Sequence, residues 1–275
     1  MWYNQVMKIL ILVFLFILGA VMGSFVCCQV RREKRKGKKK LGKRSVCLSC
    51  GYQLKWFDNI PIFSWIFLKG KCRKCGKEIG ALEILSEILG GTVFLLLGMF
   101  ASTFLEYATF GPLYLLVLLG FATVLGYLAI FDGKYGELPG KALTFSVICG
   151  IILLILKQWS LFLSSQSFQF LPNSLLSALG GVGILAGVYY LLYFFSKEKL
   201  VGSGDWILGL SISLALGNWW LSLIVIFLSN TLASIFMAPS AIKKKEKKIY
   251  FGPWMILAFF IVFIFQEYLI KFISF

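Results

Sequence analysis

Histidine is absent from this 275-residue sequence. Its absence excludes a catalytic metal site built on imidazole ligands, and every hydrolytic triad that relies on a histidine base. A glycine-rich nucleotide fingerprint is missing too, since Gly90-Gly91 is too short to make one. Acidic residues are scarce, 12 against 28 Lys and Arg, and the formal net charge is +16. That imbalance raises nucleic acid as a partner. The placement of the charges points to a membrane instead.

Apolar residues make up 59% of the chain and fall into blocks. A membrane span needs roughly 20 mainly apolar residues. About eight blocks stand out, at 6–28, 82–105, 112–131, 142–156, 175–195, 205–217, 219–237 and 252–270. In hydrocarbon every backbone polar group must be satisfied within the segment, so the blocks are expected to be helices. The fourth and sixth are short. A cleavable signal peptide is the rival reading of the first block. Its apolar stretch is longer than a signal core, however, and no charge precedes Lys8. The expected fold class is therefore an all-α polytopic membrane protein.

With eight helices and residues 29–81 in the cytoplasm, 25 of the 28 basic residues lie at cytoplasmic ends. Lys8, Lys157 and Lys271 are the exceptions. This asymmetry is the positive-inside rule, and it sets both termini outside the cytoplasm. Contact with anionic lipid accounts for the basic tracts 31–40 and 243–248, so no nucleic acid is expected as a partner.

Four of the seven cysteines form two close pairs, Cys47-x-x-Cys50 and Cys72-x-x-Cys75, in the segment assigned to the cytoplasm. A reducing compartment favours thiolates over disulfides. Two such pairs make a Cys₄ site for a structural zinc ion, with no coordination position left open for catalysis. Gly51 and Gly76 follow the pairs and suit the tight turn of a knuckle. Two redox pairs, or four idle thiols, are the alternatives. Cys27, Cys28 and Cys149 lie in or beside helices and read as small hydrophobes.

An ionisable residue in or at the end of a span is a functional hypothesis by default. Asp132 ends the third block, and Asp205 opens the sixth after Gly202, Ser203 and Gly204. In alternating topology the two carboxylates reach the same cytoplasmic level, although 73 positions separate them. Two nearby carboxylates that share one proton form the aspartic-protease arrangement: the ionised one activates water and the protonated one polarises the scissile carbonyl. Gly202 and Gly204 let an extended peptide approach the backbone. The structural alternatives are a helix N-cap for Asp205 and a solvated interfacial acid for Asp132. Shared depth favours function. Glu83 and Glu87 sit at the start of the second block, where a helix N-terminus suits them.

Taken in order, these motifs resemble the bacterial type IV prepilin leader peptidases over nearly the whole chain. The resemblance rests on Gly23-Ser24-Phe25 and on Asp58-Asn59-Ile60-Pro61 between the two cysteine pairs. It continues with Asp132 ahead of Leu138-Pro139, Gly202-Ser203-Gly204-Asp205, and Phe251-Gly252-Pro253 opening the last helix. The family often has Asn where this chain has Cys27 and Lys where it has Ile207, and a Tyr-Pro that often precedes the second-helix Glu is missing, although Glu87 itself matches. The resemblance implies a multi-pass enzyme of the bacterial cell membrane, cutting a short basic leader from prepilin or pseudopilin precursors just after Gly. It further implies N-methylation of the new terminus with S-adenosylmethionine, in pilus, secretion or competence systems. Catalysis by Asp132 and Asp205, an active-site turn at Gly202–Gly204, zinc on Cys47, Cys50, Cys72 and Cys75, and a methyl-transfer role for Glu87 follow as expectations. The expected organisation is a first transmembrane helix at 1–28, a cytoplasmic zinc loop at 29–81 and a membrane peptidase domain at 82–275. Two rival classes are a presenilin-like intramembrane protease, which lacks the Cys₄ loop, and a zinc-module membrane scaffold of a secretion machine, which leaves both aspartates unexplained.

Overall fold

The computed structural model describes residues 2–33, 45–47, 49–107, 111–165, 170–198, 201–244 and 250–273. Residues 34–40 and 245–248 of the basic tracts, and Lys199, lie outside the described residues. Helices dominate, as the apolar blocks require. They are α1 (Trp2–Glu33), a 3₁₀ turn (Trp56–Asn59), α2 (Phe63–Phe67), α3 (Ala81–Tyr107), α4 (Gly111–Tyr135), α5 (Gly140–Ser165), α6 (Phe170–Ser196), α7 (Ser203–Leu216), α8 (Trp219–Lys244) and α9 (Gly252–Ile273). Among the described residues, extended pairing is limited to two isolated bridges, Val46 with Gln53 and Lys71 with Glu78.

Among the described residues, seven helices are long and apolar enough to cross a membrane: α1, α3, α4, α5, α6, α8 and α9. The chain is thus an all-helical, multi-pass membrane protein. The sixth apolar block becomes α7, whose 14 residues rise about 21 Å, short of the ~30 Å hydrocarbon thickness. The fourth block goes the other way. Hydropathy ends it before Lys157, yet α5 runs on to Ser165. The polar pair that halts the hydropathy count is satisfied inside the protein: Lys157 Nζ donates to the Leu216 carbonyl at 2.7 Å, and Gln158 Oε1 accepts from Ser174 at 2.6 Å.

The chain forms two compact units, Met1–Met99 and Phe100–Phe275. In the first, α1 and α3 touch backbone to backbone. A Cβ at Gly23 would lie 2.0 Å from the Ser86 carbonyl oxygen, and one at Gly19 would lie 2.3 Å from that of Gly90. Small residues of this kind let membrane helices approach closely. In the second unit, α7 is enclosed chiefly by α5 and α6. A Cβ at Gly150 of α5 would lie 2.7 Å from the Ser211 carbonyl oxygen of α7. The core of this unit includes Leu118, Phe121, Leu125, Leu185, Leu208 and Phe259.

Candidate functional site

In the second unit, α4 ends just past Asp132. The Gly136 N–H bonds back to the Asp132 carbonyl at 2.7 Å, with Gly136 at a φ of 67°. This left-handed cap stops the helix. The chain then passes Leu138 and opens α5 at Pro139, whose carbonyl accepts from Ala142 and Leu143. The start of α7 is built around its own acid. Gly202 is the N-cap, in extended backbone, and its N–H donates to Asp205 Oδ2 at 2.9 Å. Asp205 is therefore the third helical residue reaching back to the cap.

These two helix ends meet. A Cβ on Gly204 would stand 2.7 Å from Leu138 Cβ, so the glycine turn lies directly against the segment that follows Asp132. Both carboxylates are buried, with 6% and 9% of the residue surface exposed. Asp132 takes a hydrogen bond on Oδ2 from the Gly252 N–H at 3.0 Å. Each acid thus holds one backbone N–H through Oδ2, and among the described residues no hydrogen bond engages either Oδ1. This leaves one oxygen on each carboxylate for a water or a peptide carbonyl.

Sequence reasoning missed a polar cluster whose Tyr189 and Ser229 are buried. The Tyr189 hydroxyl is 3.3 Å from Ser229 Oγ and accepts from Asn230 Nδ2 at 3.3 Å. The Tyr189 ring lies 5.2 Å from that of Phe251. Polar residues within the apolar blocks at 175–195 and 219–237 were the available signal.

In the first unit the four expected cysteines come together. Their sulfurs all lie within 4.8 Å of one another. Cys47 and Cys75 are 3.9 Å apart, and Cys50 and Cys72 are 4.0 Å apart. Tetrahedral zinc with Zn–S bonds of about 2.3 Å needs sulfurs about 3.8 Å apart, so the donor set fits the ion. Two matching turns build it. The Cys47 N–H bonds to the Tyr52 carbonyl and the Cys72 N–H to that of Lys77, both at 2.8 Å. Gly51 and Gly76 close these turns at φ values of 70° and 67°, a conformation in which a side chain is strained. The backbone N–H groups of Cys50 and Ser49 pull the Cys47 thiol down to about 6, toward the metal-binding thiolate.

Asp58 ties the two turns together. It accepts from Arg73 Nε at 2.8 Å, from the Tyr52 hydroxyl at 3.2 Å and from the Lys55 N–H at 3.1 Å. Burial works to raise its carboxyl, but the Arg73 bond leads a set of interactions that holds it below the usual carboxylate range. Arg73 also stacks 4.9 Å over the Phe57 ring. Glu83 pairs with Arg31 of α1. Glu87 is buried on α3 and accepts the Ile62 N–H at 2.7 Å, joining the module to that helix. Ile62 sits at a φ of 64°, a strained position for a β-branched residue.

A family model, the bacterial peptidase A24 N-terminal domain, matches residues 17–101. The chain is similar to a prepilin leader peptidase/N-methyltransferase of Klebsiella pneumoniae, 30% identical over 211 residues that cover 75% of this chain and 83% of the relative. It is 29% identical to the protein of that description from Dichelobacter nodosus, over 80% of this chain and 71% of the relative. No solved structure is a significant match.

Proposed function

Because this chain belongs to the prepilin leader peptidase/N-methyltransferase family, we propose that it is a membrane aspartyl peptidase that removes the basic leader of prepilin-like precursors and methylates the new amino terminus. Cleavage falls just after a Gly at the cytoplasmic membrane face, and Asp132 and Asp205 carry it out. The observation that carries this reading is the meeting of the two helix ends that bear the buried acids, each acid anchored by one backbone N–H and, among the described residues, each with no hydrogen bond on Oδ1. With one proton between them, the ionised carboxylate takes a proton from water as it attacks. The protonated one donates to the scissile carbonyl oxygen. Gly202, Ser203 and Gly204 form the active-site turn before Asp205, and the missing side chain of Gly204 lets that turn lie directly on Leu138.

Cys47, Cys50, Cys72 and Cys75 hold a structural zinc ion, which staples the two turns of the module. S-adenosylmethionine is the methyl donor of the second activity. Glu87 supports that activity by fixing the module to α3 through Ile62. The concentration of basic residues supports a cytoplasmic placement of residues 29–81 and extracytoplasmic termini.

Incubating the purified protein with a prepilin-like peptide, with and without S-adenosylmethionine, tests the proposal by mass spectrometry. The expected products are a leader ending in Gly and a mature peptide that gains one methyl group only when the donor is present. An intact peptide would reject the peptidase reading. Unmethylated product in the presence of donor would reject the second activity alone.

A further inference from the structure

Beyond the hydrogen bond that Gly252 gives to Asp132, the Phe251-Gly252-Pro253 motif lies against the surroundings of both acids. Gly252 opens α9, and its N–H is the hydrogen-bond donor to Asp132. The other first-turn groups are otherwise engaged: Pro253 has no N–H, and the N–H groups of Trp254 and Met255 bond to the Phe251 carbonyl. The chain comes closest at Gly252 itself. A Cβ there would lie 2.7 Å from Asp132 Oδ2 and 3.4 Å from its Cγ. One residue along from Asp132 the fit is looser, since a Cβ on Gly133 would stand 3.6 Å from Pro253 Cγ, an ordinary contact. Flanking residues fix the segment. The Tyr250 ring fills the space beside Gly136, and the Phe251 ring packs on Tyr189.

We infer that Gly252 is a positioning residue: its backbone N–H and missing side chain set the height and rotation of the Asp132 carboxylate, leaving Oδ1 turned to the reaction. The inference rests on the reading of Asp132 as half of the catalytic pair. A carboxylate fixed by a backbone donor at the positive end of a helix is favoured in its ionised form. Asp205 has the matching arrangement, with the Gly202 N–H at the start of α7, so the Gly252 contact aims Asp132 and favours its charge without deciding alone which acid carries the shared proton.

The test compares Gly252→Ala and Gly133→Ala in the full-length protein, measuring prepilin-peptide cleavage across pH. Gly252→Ala is expected to lower kcat by about tenfold to about 100-fold with KM nearly unchanged, the scale of a small misplacement of a reacting group. Its acidic limb should also move to higher pH, because the displaced carboxylate loses the donor that favours its charge. Gly133→Ala should keep the wild-type kcat and pH profile. Wild-type kcat and an unmoved acidic limb in Gly252→Ala would overturn the inference while an inactive Asp132→Asn left the peptidase reading standing. Equal losses in both glycine variants would overturn it as well. A fully active Asp132→Asn would instead sink the peptidase reading beneath it. Should Gly252→Ala fail to elute as a folded protein, the wild type gives the answer. The sequence has two Phe-Gly pairs, Phe110-Gly111 and Phe251-Gly252, so carbonyl-labelled Phe with nitrogen-labelled Gly selects two amide signals. The Gly252 signal should titrate in the wild type and stop doing so in Asp132→Asn. A signal indifferent to pH in both would overturn the inference.

Discussion

The cysteine module and the carboxylate pair solve the same problem, bringing like-charged ligand atoms together, by opposite routes. The module gathers four sulfurs from two turns only 21 residues apart and uses short backbone bonds within each turn. The acids lie 73 positions apart and meet because α4 ends and α7 begins against the Leu138 segment. Thiolates crowded at 4 Å call for a cation to bind them. Carboxylates in the same situation can share a proton, and under the proposed function that difference separates a staple from a reaction centre.

The sharpest way to break the comparison is to neutralise the acids. Asp132→Asn and Asp205→Asn are each expected to lower cleavage at least about 1000-fold, within the scale of a lost general acid or base, with zinc content unchanged. Mass spectrometry of the product and metal analysis give both readings, and near wild-type turnover would remove the altered residue from catalysis.

Opening the module should do the reverse. Cys47→Ser is expected to take bound zinc from about one equivalent toward zero and to lower methylation more than cleavage. Parallel loss of the two activities would make the module a general scaffold.

A smaller effect is expected from Asp58→Asn, which leaves all four sulfurs in place but loosens the link through Arg73. Zinc affinity should drop about tenfold at neutral pH, the scale of an outer partner's loss. Because Asp58 is held below the usual carboxylate range, its contribution is complete at pH 7. That contribution disappears only as acid carries the pH below about 4. Wild type and variant should therefore differ at pH 7 and converge in acid, as competition with a chelator would report.

Smallest of all is Glu87→Gln. The amide oxygen still accepts from the Ile62 N–H, but more weakly, by about 1 kcal/mol. Methylation should fall about fivefold, with cleavage within twofold. Equal loss of both would detach Glu87 from the second activity.

The sequence makes some of this architecture plain and hides the rest for physical reasons. Cysteine pairs announce themselves because the ligands of a knuckle are local in the chain. Asp132 and Asp205 stand out because burying a charge among apolar residues is costly. Asp58 stood out only within the Asp58-Asn59-Ile60-Pro61 motif. It lies in a polar loop, and its importance comes from an arginine 15 positions on. Gly252 was visible only as part of a motif; its contact with Asp132 spans 120 positions. The length of α5 was misjudged because hydropathy counts Lys157 as exposed to lipid, whereas the structure gives its ammonium to the end of α7.

That end of α7 has a consequence for how the enzyme meets its bilayer. The Leu216 carbonyl is taken by Lys157, the Gly217 N–H returns to Ser213 at 2.9 Å, and Asn218 Oδ1 accepts from Trp220 and Leu221. The turn is satisfied by protein groups, the condition for irregular backbone at membrane depth. A helix that stops inside the fold takes its height from α5 and α6 rather than from the lipid. Asp205, at its other end, should hold its level as acyl chains lengthen or shorten, while the long helices around it tilt to absorb the mismatch.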